Sequence, residues 1–93
     1  MNRTPVPESL PALIRAYRIL SRLPEKENGN WNDLQRQGRE FAWESSELTN
    51  AIEGGRLNSP DELGSLLIRL VNIARLEGYR AEDLVHNFLR KLE

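Results

Sequence analysis

The sequence contains no cysteine, which excludes disulfide bonds, thiol catalysis and cysteine-bound zinc. It also lacks an excess of positive charge: 13 basic and 14 acidic residues give a formal net charge of −1, so the basic surface of a nucleic-acid-binding protein is missing. No apolar run approaches the roughly 20 residues that cross a bilayer, and the first residues form no signal segment. We therefore expect a soluble, cytoplasmic protein that binds neither nucleic-acid polymers nor membranes.

The chain is short, and its 93 residues with a hydrophobic fraction of 39% predict one domain with a modest core. We expect this domain to span residues 1–93. Within it, residues 1–8 are expected to form an extended leader because they contain two prolines and few apolar groups. A core of this size often grows by oligomerisation, so a homodimer or homotetramer is expected.

Apolar residues recur at the three- and four-residue steps that are typical of helices burying one side. Capping or helix-breaking residues bound the segments that carry this pattern. The predicted helices run from the N-cap Ser9 to Pro24, from the N-cap Asn32 to Gly54, from the N-cap Ser59 to Gly78, and over about 81–92. With no strand-like alternation, the pattern predicts an all-α, four-helix bundle.

The third predicted helix is expected to supply most of the core. Its apolar stripe consists of Leu63, Leu66, Leu67, Leu70, Val71 and Ala74, and its opposite, polar side of Glu62, Ser65, Arg69 and Asn72. In the last helix, the residues expected to pack inward are Leu84, Val85, Phe88 and Leu92. Small residues on the second helix, such as Gly38, predict a closely packed neighbour. Ile68 and Ile73 lie off the apolar stripe, which indicates a partner subunit.

Acidic side chains repeat on the polar sides of the second and third predicted helices. Glu44 and Glu47 are three residues apart and therefore project from one face, while Glu62 lies near the start of the next helix. A short connection favours antiparallel helices, which can bring these three carboxylates together. Such a group is typical of a site for a hard cation such as Mg²⁺. A solvated acidic face and a capping role for Glu62 are the alternatives.

Two short motifs contain these glutamates. WESSELTNAI holds an E-x-x-E pair, and DELGSLLIRLVNIARLEG follows on the next predicted helix. Over residues 34–92 the chain resembles the MazG-like, all-α nucleoside triphosphate pyrophosphohydrolases, whose motifs are written EExxExxEAI and EELGDLL. The resemblance places Glu44, Glu47 and Glu62 on metal-binding glutamates, and Lys91 on a lysine near the substrate's phosphates.

The chain departs from the family pattern at several positions. Ser65 stands where the family has the aspartate that completes the carboxylates around Mg²⁺. Trp43, Asn50 and Leu89 also replace residues of the family motifs. A serine hydroxyl brings no charge, so the loss of one of four carboxylates weakens the expected affinity for the cation.

The resemblance implies Mg²⁺-dependent hydrolysis of a nucleoside triphosphate to its monophosphate and pyrophosphate. Glu44, Glu47 and Glu62 would hold the cation, and Lys91 or Arg90 would stabilise developing negative charge. Trp31 is a candidate for stacking on the base, with a packing role as the alternative. Because Ser65 replaces the motif aspartate, the competing prediction is a non-catalytic helical oligomer that binds nucleotides or other partners.

Overall fold

A computed structural model describes residues 6–24, 30–55 and 60–93. Its helices are α1 (Ala12–Ser21), α2 (Leu34–Glu53), α3 (Pro60–Leu76) and α4 (Ala81–Leu92). No strand occurs within these ranges, and the all-α prediction is confirmed. Within the same ranges, no helix is both long enough and apolar enough to span a membrane.

The two N-caps that the structure describes at predicted starts differ from those predictions. Pro11 is the N-cap residue of α1, in an extended conformation (φ −52°, ψ 140°), so Ser9 lies outside the helix. Asp33 caps α2 instead of Asn32, because its carboxylate accepts a hydrogen bond from the Arg36 backbone N–H at 3.2 Å. The predicted cap of the third helix, Ser59, lies outside the described residues.

Two glycines end helices as the sequence predicts. Gly55 follows α2 with φ +78°, and Gly78 follows α3 with φ +87°. This left-handed conformation carries a steric penalty for residues that have a Cβ atom, which explains glycine at both positions.

The helix α3 occupies the centre of the fold, because it packs against α1, α2 and α4. Among the described residues, the buried apolar core consists of Ala16, Leu20, Val71 and Ala81, with partly buried Leu13, Leu23 and Trp31 around it. Two of these buried residues are alanines, so the core contributes little hydrophobic free energy for a chain of this length.

The expected burial of α3 is reversed on two of its sides. The Arg69 side chain on its polar side is only 14% exposed, and Asn72 is fully buried. On the predicted apolar stripe, Leu67 is 60% exposed and Leu70 is 46% exposed. Another residue of the same stripe, Val71, is buried. The polar side of α3 is buried because its side chains form hydrogen bonds with α2.

The prediction that the apolar side of α4 packs inward is wrong for the single chain. Its four predicted core residues, Leu84, Val85, Phe88 and Leu92, are 43–71% exposed. Only the first residue of the helix, Ala81, is buried. Most of the apolar side of α4 therefore remains open to solvent in one chain.

Gly38 provides a test of packing on α2. A Cβ atom built at Gly38 meets no atom within 4 Å, so the predicted close neighbour is absent among the described residues. We expect Gly38→Ala to raise the free energy of unfolding by about 0.5–1 kcal/mol, because alanine restricts the unfolded chain. Urea denaturation followed by circular dichroism measures the change.

The matched control is Gly78→Ala, the same chemical change at a left-handed residue. This variant should lose stability, because alanine is strained at φ +87°. A loss of stability in Gly38→Ala as well would contradict the open surroundings of Gly38 and would indicate that another molecule packs there.

Candidate functional site between α2 and α3

The three predicted metal-binding glutamates line one pocket between α2 and α3, with a volume of about 360 Å³. The lining residues are Glu40, Trp43, Glu44, Glu47, Asp61, Glu62 and Ser65. Five of these seven side chains are carboxylates. The helical spacing and the short α2–α3 connection therefore place these acidic residues around one pocket. We name this site the acidic pocket.

Glu44 is the carboxylate of the acidic pocket that joins α2 to α3. Its Oε1 atom accepts hydrogen bonds from Arg69 Nε at 3.0 Å and from Arg69 Nη2 at 2.7 Å. Its Oε2 atom accepts a hydrogen bond from Ser65 Oγ at 2.9 Å. The Glu44 and Arg69 side chains are each only 14% exposed. Both oxygens of Glu44 are thus held by donors of this chain, one of which is a cation.

This arrangement does not fit a Mg²⁺ site. Magnesium requires oxygen ligands at short distances in a near-octahedral arrangement. Within residues 6–24, 30–55 and 60–93, no three histidine, aspartate or glutamate side chains lie close enough together to hold a metal ion. The positive charge next to Glu44 belongs to Arg69. Ser65, which has no charge, stands at the position where the family resemblance implies a further carboxylate.

Arg69 also joins the acidic pocket to a buried polar network. Its Nη1 atom donates a hydrogen bond to Gln37 Oε1 at 3.0 Å, and Asn72 Nδ2 donates to the same oxygen at 3.0 Å. Gln37 Nε2 donates in turn to the Asn30 carbonyl at 2.8 Å. Gln37 and Asn72 are the largest fully buried side chains among the described residues, and both are polar.

The network continues past Asn72 to the segment that precedes α2. Asn72 Nδ2 donates to the Trp31 carbonyl at 2.7 Å, and Arg75 Nε donates to Asn72 Oδ1 at 2.9 Å. Arg75 Nη2 donates to Asn32 Oδ1 at 2.7 Å. This last bond explains why Asn32 does not cap α2: its side-chain oxygen faces α3 instead. The polar side of α3 is therefore hydrogen-bonded to α2, to Trp31 and to Asn32.

Trp31 contacts the network and the core. The Arg69 Cζ atom lies 4.7 Å from the centroid of the Trp31 ring, within the range of a cation–π interaction. Trp31 also packs against the apolar core and is not one of the residues that line the acidic pocket. Its ring thus lies between the guanidinium group and the apolar core, in contact with both.

The basic candidates lie elsewhere in the fold. Arg90 and Lys91 are exposed residues in the last turn of α4, and neither lines the acidic pocket. The Lys91 Nζ atom lies 6.0 Å from the Phe88 ring centroid. Within one chain, the structure therefore does not bring Lys91 together with Glu44, Glu47 and Glu62.

Sequence reasoning missed three side chains that organise this site: Gln37, Arg69 and Asn72. A signal was present in the spacing of Ser65, Arg69 and Asn72, which places hydroxyl, guanidinium and amide donors along one side of α3. Their partners on α2, Gln37 and Glu44, are seven residues apart, which is about two helical turns along one face. The partners are distant in sequence, so the match between the two helices is clear only in three dimensions.

No protein family, characterised protein or solved structure matches this chain. The family resemblance therefore depends on the two sequence motifs and remains a prediction.

The buried amide of Asn72 provides a test of the network. Asn72→Ala removes one hydrogen bond from each of three groups, namely the Gln37 side chain, the Trp31 carbonyl and the Arg75 guanidinium group. We expect the free energy of unfolding to fall by about 1–3 kcal/mol. Urea denaturation at constant protein concentration measures the change.

The control is Asn50→Ala, the same substitution at an exposed position of α2. Its effect should stay within about 0.5 kcal/mol. Equal effects of the two substitutions would show that the hydrogen bonds of Asn72 contribute nothing specific.

Proposed function

We propose that this protein is a non-catalytic, self-associating helical module with a MazG-like arrangement of helices. The supporting observation is an apolar surface formed by α3, α4 and the turn between them. We define this apolar face by Leu67, Leu70, Tyr79, Leu84 and Val85, each of which is at least 43% exposed. Together with neighbouring residues they line one groove of about 420 Å³.

The proposed occupant of the apolar face is a second copy of this chain, and the surface area supports this choice. The accessible surface is 7239 Å², whereas a monomeric protein of 10.7 kDa has about 5,500 Å². The excess of about 1,700 Å² falls within the roughly 1,000–2,500 Å² that each subunit of an obligate dimer buries. The Cα radius of gyration of 14.8 Å likewise exceeds the value of about 12 Å for a compact monomer of this length.

The composition of the face also favours self-association. Leucine, valine and tyrosine form its exposed part, and Glu77 is the one charged residue that lines the groove. A surface with so little charge can meet its own copy across a two-fold axis without placing like charges opposite each other. Its large aliphatic side chains are 43–60% exposed, so covering the rest of each one would contribute about 1 kcal/mol, roughly half the value for burying a whole side chain.

Sedimentation equilibrium of the purified protein tests this proposal. We expect the wild-type chain to sediment at twice its monomer mass, or at four times that mass if two dimers associate. The double variant Leu67→Glu/Leu84→Glu should sediment as a monomer, because carboxylates cannot be buried against the same apolar face without a partner.

The control is Ile52→Glu on α2, which is 61% exposed and does not line the groove. This variant should keep the wild-type mass. A wild-type chain that remains a folded monomer across a hundredfold range of concentration would refute self-association.

A second candidate function is Mg²⁺-dependent nucleoside triphosphate pyrophosphohydrolysis. The observation in its favour is that Glu44, Glu47 and Glu62 line one pocket with two further carboxylates. Against it stand the hydrogen bonds of Arg69 and Ser65 to Glu44, together with the position of Lys91 outside the pocket. For these reasons the non-catalytic function takes precedence.

Pyrophosphate release separates the two functions. The purified chain is incubated with Mg²⁺ and a panel of canonical and modified nucleoside triphosphates. The non-catalytic proposal predicts no release above that of a Glu47→Gln/Glu62→Gln control prepared in the same way. Release by the wild type that the control lacks would establish the hydrolase and overturn the first proposal.

A further inference from the structure

We infer that Arg69 is the built-in cation of the acidic pocket and that its guanidinium group keeps divalent metal ions from binding at Glu44. This inference concerns the chemistry of the pocket and does not depend on self-association through the apolar face. It follows from the hydrogen bonds of Arg69, from its burial and from its contact with Glu44.

The bonding of Arg69 accounts for each nitrogen of its guanidinium group. Nε and Nη2 both donate to Glu44 Oε1, and Nη1 donates to Gln37 Oε1. The Trp31 ring lies against the guanidinium group at 4.7 Å. A planar group with this many directed contacts has little freedom to move aside. Arg69 is therefore a fixed neighbour of Glu44, which lines the pocket.

The position of the charge determines what else can bind. A divalent cation at Glu44 would lie next to the guanidinium group, since Arg69 Nη2 is already 2.7 Å from Glu44 Oε1. Repulsion between neighbouring positive charges is strong where the side chains are only 14% exposed. The cation would also displace the hydrogen bond from Ser65. The guanidinium group of Arg69 thus lies next to Glu44 where a bound metal ion would otherwise lie.

This inference predicts the outcome of a single substitution at Ser65. Ser65 Oγ lies 2.9 Å from Glu44 Oε2, so an aspartate at position 65 would place a second carboxylate beside Glu44. With Arg69 present, the new negative charge can pair with the guanidinium group. The carboxylate alone is therefore insufficient, and a divalent cation should bind only after the arginine charge has been removed.

Binding of Mn²⁺ to the full-length protein tests the inference, with electron paramagnetic resonance and titration calorimetry as readouts. We expect no saturable site at Glu44 in the wild type or in Ser65→Asp. Arg69→Gln/Ser65→Asp should bind one Mn²⁺ per chain with a dissociation constant of about 10⁻⁴–10⁻³ M, as in weak oxygen-ligand sites. The affinity for Mn²⁺ should therefore be at least roughly 100-fold higher than that of the wild type or of Ser65→Asp.

Arg75→Gln/Ser65→Asp is the matched control. Arg75 belongs to the same helix and the same network but forms none of the hydrogen bonds to Glu44. This variant loses one arginine charge, as the test variant does, and should bind no Mn²⁺. Arg69→Lys/Ser65→Asp keeps a positive charge and should bind no Mn²⁺ either. Circular dichroism establishes that each variant is folded.

Two results would overturn the inference. One is saturable Mn²⁺ binding to the wild type or to folded Ser65→Asp, provided that the additional substitution Glu44→Gln abolishes it. This test does not require the Arg69 variant to fold. The other is a folded Arg69→Gln/Ser65→Asp protein without a Mn²⁺ site. Neither result bears on self-association, which sedimentation measures separately, so the two proposals can fail independently.

Discussion

The ion pair between Arg69 and Glu44 joins the two longest described helices, and the interface between α2 and α3 depends on it. Arg69 connects the acidic pocket at one end of this interface to the buried amides of Gln37 and Asn72 at the other. Such a network adds less stability than an apolar seam of the same size, because each polar group loses its water. The network instead fixes how α2 and α3 are aligned, because a shift of one helix along the other would leave several of these groups without partners.

This use of α3 explains the exposed apolar surface of the fold. A helix buries only part of its circumference, and here the polar side is turned toward α2. Val71 on another side reaches the small core with Leu20 of α1, while Leu67 and Leu70 remain uncovered. The same chain therefore has a hydrogen-bonded interior interface and an apolar exterior, which is the reverse of the usual arrangement in a small monomeric domain. A second copy of the chain is the proposed cover for that exterior.

The sequence predicts part of this structure well. Three- and four-residue spacing identifies the helices, and Gly55 and Gly78 mark two of their ends, because these signals are local. The spacing also brings Glu44, Glu47 and Glu62 to one pocket. Amphipathicity identifies the apolar side of α3 but not what covers it, so the burial of Leu67 and Asn72 is predicted the wrong way round. The role of Arg69 depends on a partner 25 residues away, which no local pattern indicates.

The residues just before α2 are hydrogen-bonded to side chains of α2 and α3. Backbone oxygens of Asn30 and Trp31 and the side chain of Asn32 all accept hydrogen bonds from the network. No residue of α1 or α4 takes part in those bonds. Residues 30–32, α2 and α3 therefore form one hydrogen-bonded unit, and α1 and α4 can detach from it without breaking one of those bonds. In the free chain, the amide protons of this unit should be the last to exchange with solvent.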